Sequence, residues 1–108
     1  MGNAEAAAML RAAGMPVVYH HWPDGSRPRF PCVRYVETGR NDLVADNVNY
    51  FKRTAYEATL VSERKDDAAE AAVERALAEA GVAYSKGETV YVEAERLYQV
   101  AYGFTLPG

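Results

Sequence analysis

Cysteine is almost missing from this chain: Cys32 is the only one in 108 residues. One thiol excludes an internal disulfide framework and a zinc cluster built on thiolates. Hydrophobic runs are short, and none approaches the roughly 20 apolar residues of a membrane helix. Basic charge is not in excess, with 12 Lys and Arg against 15 Asp and Glu and a formal charge of −3. General nucleic-acid binders usually carry a basic footprint, so this balance weighs against that class. No HExxH, CxxC, EF-hand or Walker spacing occurs. The start, Met1-Gly2-Asn3-Ala4-Glu5, lacks the basic n-region of a secretory signal. Ala6 stands where a myristoylation start wants Ser or Thr. These absences lead to the expectation of a soluble, intracellular domain.

What is present is ordinary globular composition, 49% hydrophobic and 25% charged. The length suits one domain, residues 1–108, with a core that needs no staples. Charge is uneven along it. Residues 1–54 hold seven basic and five acidic groups; residues 55–108 hold five and ten. A solvated surface of uneven charge is the ordinary reading. A head-to-tail contact between copies is the functional one, because opposite patches attract and steer.

Residues 4–14 read as a helix, with Ala6, Met9, Leu10 and Ala13 on one face, Asn3 as N-cap and Gly14 then Pro16 as the stop. Residues 17–22 are β-branched and aromatic and read as a strand, followed by turn chemistry at Pro23-Asp24-Gly25-Ser26. Residues 32–38 form a second strand. Residues 39–49 are rich in Asn and Asp and read as a long functional loop. Residues 50–62 are a long strand, half apolar on both sides as a central strand is. Residues 67–80 carry Ala69, Ala72, Val73, Ala76, Leu77 and Ala80 at helical spacing. Asp67 with Glu70 is similar to a capping box, and Gly81 is the stop. Glu70, Glu74, Arg75 and Glu79 fall opposite the apolar stripe, which predicts a solvated acidic face. Residues 82–85, 89–93 and 96–106 read as three further strands, with Lys86-Gly87 turning between the first two. The predicted order is α-β-β-β-α-β-β-β. That order defines an α+β domain: a mostly antiparallel sheet of about five to six strands with two helices packed on one face.

Candidate chemistry is sparse. His20 and His21 point to opposite faces of a strand and cannot share a metal without a bulge. Cys32 could meet a histidine of the neighbouring strand, but a buried apolar cysteine is the ordinary case. No metal ligand set, cofactor site or catalytic group is therefore predicted. Arg27, Arg29, Arg34, Arg40, Lys52 and Arg53 are interleaved with Phe30, Tyr35, Tyr50 and Phe51. Such interleaving suits single-stranded nucleic acid, with Arg27, Arg29, Arg34, Lys52 and Arg53 as the contacts. It suits a protein interface equally, since Arg and Tyr are enriched at interface hot spots. Eight tyrosines also favour assembly, because buried hydroxyls need partners.

One ordered set of blocks carries a resemblance. It runs through Pro31-Cys32-Val33-Arg34-Tyr35, Thr38-Gly39 with Asn41, Ala45-Asp46-Asn47 with Tyr50, and Tyr56-Glu57-Ala58-Thr59-Leu60. The helix of residues 66–80, Tyr84-Ser85-Lys86-Gly87-Glu88-Thr89 and Val92-Glu93-Ala94-Glu95-Arg96-Leu97-Tyr98-Gln99-Val100-Ala101-Tyr102 complete it. This pattern resembles the minor structural, tail-completion proteins encoded in the head–tail joining region of long-tailed phages and prophages of Gram-positive hosts. The chain is richer in Ala and Arg than such relatives. Its loop reads Asp42-Leu43-Val44 where an aromatic-glycine pair is more familiar.

The resemblance implies a tail terminator: a structural subunit that forms a homo-hexameric ring on the tail tube protein and offers a surface to the head–tail connector or stopper protein. DNA would pass through such a ring only as cargo, no cofactor or membrane is implied, and the place of work is the virion, after assembly in the bacterial cytoplasm. A head-side connector adaptor or stopper is the near alternative. A small prophage-encoded nucleic-acid-binding or regulatory protein is the alternative of another class. Within the terminator reading, Arg40, Asn41, Asp46, Asn47 and Tyr50 are the expected subunit or tube interface. Replacing Asp46 and Asn47 together with alanine is predicted to change folding stability by no more than ~0.5 kcal/mol. It should impair tail completion, read as infectious titre; normal particles from the double variant would remove these residues from the interface.

Overall fold

The computed structural model describes residues 3–20, 29–45 and 48–107. Its elements are α1 (Asn3–Arg11), β1 (Val17–Tyr19), β2 (Cys32–Ala45), β3 (Val48–Ser62), α2 (Asp67–Glu79), β4 (Tyr84–Val92) and β5 (Leu97–Pro107). The five strands form one sheet in the order β1-β2-β3-β5-β4. Only β1 runs parallel to its neighbour; the other three pairings are antiparallel. The α+β class with a mostly antiparallel sheet is thus the observed architecture.

Period-two alternation builds the core. Val33 and Tyr35 of β2, Tyr56, Ala58 and Leu60 of β3, and Val100, Tyr102, Phe104 and Leu106 of β5 are buried on one side. Both helices pack there, through Ala6, Ala7 and Leu10 of α1 and Ala69, Val73 and Leu77 of α2. Half of these helical contact residues are alanine, which favours close approach of the helices to the strands. Tyr56 stacks on Phe104 at 5.6 Å between ring centroids, in adjacent strands whose register pairs those two residues. Among the described residues no helix packs on the opposite side of the sheet.

The helix ends follow local chemistry. Gly14, at φ +84°, follows α1, and Gly81, at φ +72°, follows α2. Beyond α2, the Gly81 N–H donates to the Ala78 carbonyl and the Val82 N–H to the Leu77 carbonyl. These paired bonds satisfy carbonyls the helix leaves open and need a left-handed residue between them. The N-cap is Asp66, whose side chain accepts from the Ala69 N–H at 3.0 Å. The cap therefore lies one residue before the predicted Asp67.

Three boundaries differ from the sequence reading. Residues 39–49 are not a free loop: β2 runs on to Ala45 and β3 begins at Val48, and the two pair up to Ala45↔Val48. Low β-propensity of the Asn and Asp residues is overridden by the cross-strand ladder. Lys86-Gly87 does not turn the chain. A single strand, β4, passes through it with an irregular register between Lys86 and Thr89. An added Cβ at Gly87 would lie 3.3 Å from the Ala101 carbonyl oxygen, so glycine there lets the irregular segment lie against β5. The sheet accordingly has five strands, and the order is α-β-β-β-α-β-β. Lastly, α1 ends at Arg11 and β1 at Tyr19, short of the predicted limits.

Ala76 is buried on α2. An Ala76→Phe substitution is predicted to overpack that contact and lower unfolding free energy by ~1–3 kcal/mol, measured by chemical denaturation. An unchanged midpoint would mean that α2 does not pack closely.

Candidate interaction surfaces

Three features are candidates for function: a two-stranded arm, a bare sheet edge and a polar cluster between α2 and β4. The arm arises from unequal strand lengths. β2 and β3 pair from Cys32↔Val61 to Ala45↔Val48, but β5 accompanies β3 only as far as Arg53↔Pro107. Proline has no N–H to extend a ladder, so Pro107 suits a strand's last position. Residues 41–45 and 48–52 therefore form a ribbon about 17 Å long, at a strand's rise per residue. The molecule measures 50 × 29 × 23 Å.

The expected interface residues divide on this arm. Arg40 and Asn41 lie on β2, opposite Thr54 and Arg53, and Tyr50 lies on β3 where the register slips between Leu43 and Val44. Asp46 and Asn47 lie outside the described residues. The arm joins what the sequence reading had split into a loop and a strand.

The described members of the basic group considered for nucleic acid are spread over β2, the segment before it and β3. Arg34 is half-buried and pairs in register with Thr59 near the base of β2, whereas Lys52 and Arg53 pair with Asp42 and Asn41 on the arm. Asn41 lies seven positions after Arg34 on β2, which puts the two backbones roughly 20 Å apart. Arg29 is exposed before β2, and Arg27 lies outside the described residues. Arg34 instead lines a hollow of about 180 Å³ with Phe30, Cys32, Val61, Glu95, Leu97 and Gln99.

His20 follows β1, donating its N–H to the Tyr35 carbonyl at 2.7 Å. Cys32 is buried three residues before Tyr35 on β2, at least roughly 10 Å along the strand. The geometry does not bring this thiol and imidazole into a nucleophile–base pair. His21 lies outside the described residues. Among the described residues no group of three or more His, Cys, Asp or Glu could hold a metal. Likewise among them, no helix is long and apolar enough to cross a membrane.

The predicted acidic face of α2 needs correction. Glu70 is buried, with only 4% of its surface exposed. It lies three and seven residues before Val73 and Leu77, at the border of the apolar stripe, and turns toward β4. Lys65 and Lys86 both ion-pair with it, the latter at 2.8 Å. Lys86 also bonds Glu74 at 3.0 Å, and Glu74 accepts hydrogen bonds from the Tyr84 hydroxyl at 3.1 Å and the Tyr102 hydroxyl at 3.0 Å. The Tyr84 and Tyr102 hydroxyls thus find partners within the chain, without assembly. Register explains the meeting: Tyr84 and Lys86 of β4 pair with Phe104 and Tyr102 of β5, on the side that α2 covers. The sequence signal available was Glu70's spacing to Val73 and Leu77.

Burial pushes the Glu70 carboxyl upward, but hydrogen bonds from Lys65 and Lys86 outweigh it and hold the group below its ordinary value. The Lys86 bond chiefly holds Glu74 low as well, against its partial burial. Lys86 is raised by the same carboxylates, and Tyr102 is raised by burial and then by Glu74. The cluster clamps α2 to β4, and no group in it is poised to exchange a proton near neutrality. No protein-family model matches this chain, and no curated protein matches it.

A pH dependence follows. Carboxylates held low in the folded state bind fewer protons there than in the unfolded chain. Their stabilisation is therefore complete above the ordinary Glu value of 4.5 and is lost as pH falls through the lowered folded value. Glu70→Gln is predicted to remove about 1–3 kcal/mol at neutral pH, by taking from Lys86 and Lys65 the buried carboxylate they share and leaving them only Glu74 and Asp67. It should also flatten the acid side of a stability-versus-pH curve; an acid slope equal to the parent's would show that Glu70 is not a linked group.

Proposed function

We propose that this chain is a tail-completion subunit of a long-tailed phage or prophage, a terminator that works as one segment of a closed collar at the head–tail junction. The observation that carries the reading is the arm. A small domain whose longest hairpin leaves the sheet as a ribbon, with no described strand beside its β3 side, is equipped to reach a neighbour. A contact between unlike surfaces repeats from copy to copy and closes when its rotation closes. The uneven charge of the two halves supports such a head-to-tail sense. The ordered blocks quoted for the resemblance support it too, since they run through all the strands from β2 to β5.

In this reading the subunit acts by shape and contact, without a reacting group. The arm meets a sister copy or the tail tube protein, and the ring so formed stops tube growth and presents a face to the connector. Its place is the virion.

Inactivation of the gene in its parent phage tests this reading. The expected result is filled heads separate from tails, with tails of uncontrolled length, seen by electron microscopy. Mass spectrometry of parental virions should find the chain. Normal joined particles without it would overturn the proposal, and uniform-length tails beside unsealed heads would move it to the head-side stopper.

A further inference from the structure

We infer that β4 is a docking edge, and that its occupant is the β3 side of the arm of a second copy, added to the sheet as a sixth strand. Neither edge has a described strand beside it. β4 is terminal in the strand order, so one side of it meets no described strand. Along it, residues 89–92 read Thr-Val-Tyr-Val, a stretch of β-branched and aromatic residues. Val90 is 54% exposed and Tyr91 48%. Natural sheets blunt exposed edges with lysine, proline, bulges or short length. Here the irregularity lies before Thr89, and residues 89–92 carry neither lysine nor proline. The arm's β3 side is the matching edge. Beyond the Arg53↔Pro107 pair, residues 48–52 have a described partner only in β2. Strand addition satisfies both rows of backbone groups at once, and side chains at alternate positions supply the selectivity.

Charge selects the occupant. The docking stretch is bracketed by Glu88 and Glu93, with Glu95 beyond, and the arm strand ends in Lys52 and Arg53. With residues 48–51 laid beside residues 89–92, the parallel direction sets Lys52 next to Glu93. The antiparallel direction sets it next to Glu88. Opposite charges gain either way. Self-pairing of two β4 edges, antiparallel about the same stretch, would set Glu88 against Glu93 of the other copy, a like-charge pair that opposes it. The contact is therefore between unlike surfaces and repeats head to tail. It deepens the collar reading and rests on it for the closing of the ring.

The test uses the full chain. Val90→Cys is mixed with Asn49→Cys, and separately with Tyr50→Cys, under mild oxidation, with the parent protein as the control for buried Cys32. The expected product is the mixed disulfide dimer in at least one mixture. A second variant, Val90→Lys, alters an exposed side chain. It should keep the parent's thermal midpoint while shifting the sedimenting species from multimer to monomer. Only Val90→Cys homodimers, no cross-link, or a parent that stays monomeric at every concentration would each overturn the contact. Mixed disulfides from a protein whose loss leaves phage particles normal would keep the contact and remove the tail role. Failed tails without mixed disulfides would do the reverse.

Discussion

The length of β3 governs this molecule. Its 15 residues serve as the central rail of the sheet. Over residues 53–61 it has a partner on both sides, and the side chains of residues 54–61 are buried or nearly so except at Glu57. Over residues 48–52 it pairs with β2 alone. One strand thus organises both the core and the arm, and the boundary between them falls where Pro107 ends β5. A two-stranded ribbon is marginal by itself in water and gains from a third strand. That incompleteness is the physical reason to look for a neighbour.

The rest of the domain holds the rail in place. α1 and α2 cover one side of the sheet through small side chains, and the Glu70–Lys86–Glu74 cluster ties α2 to β4. Glu70 combines burial with two lysine partners whose ends reach water, so its desolvation is offset without sealing both charges inside. The clamp holds β4 at Tyr84 and Lys86, before the irregular segment, while the far side of β4 meets no described strand.

Much of the fold was legible because its signals are local. The alternation of Val100, Tyr102, Phe104 and Leu106 marked the buried side of β5, and the alanine stripe with Gly81 marked α2. What escaped depends on distant partners. Residues 39–45 look like a loop, since Asn and Asp are poor strand formers, and only pairing with residues 48–55 makes them a strand. The run of strand-forming residues on either side of Asp46-Asn47 was the available hairpin signal. Lys86-Gly87 looks like a turn because glycine usually marks one, but Gly87 instead permits close approach to Ala101. Glu70 looks solvated on a helical wheel, and is buried because Lys86 arrives from another strand. Of the candidate interface, Asn41 and Tyr50 lie on the arm and Arg40 at its base, a grouping the sequence suggested through length and polarity. The β4 edge was not visible until the strand order was known.

The central claim is that copies of this chain meet through backbone edges that the single fold leaves open. Hydrogen exchange measured across a range of protein concentrations tests it most directly. Amides of residues 89–92 and 48–52 should become protected together as concentration rises, while core amides of β3 near Ala58 stay unchanged. Exchange at both edges that is fast and independent of concentration would contradict the account.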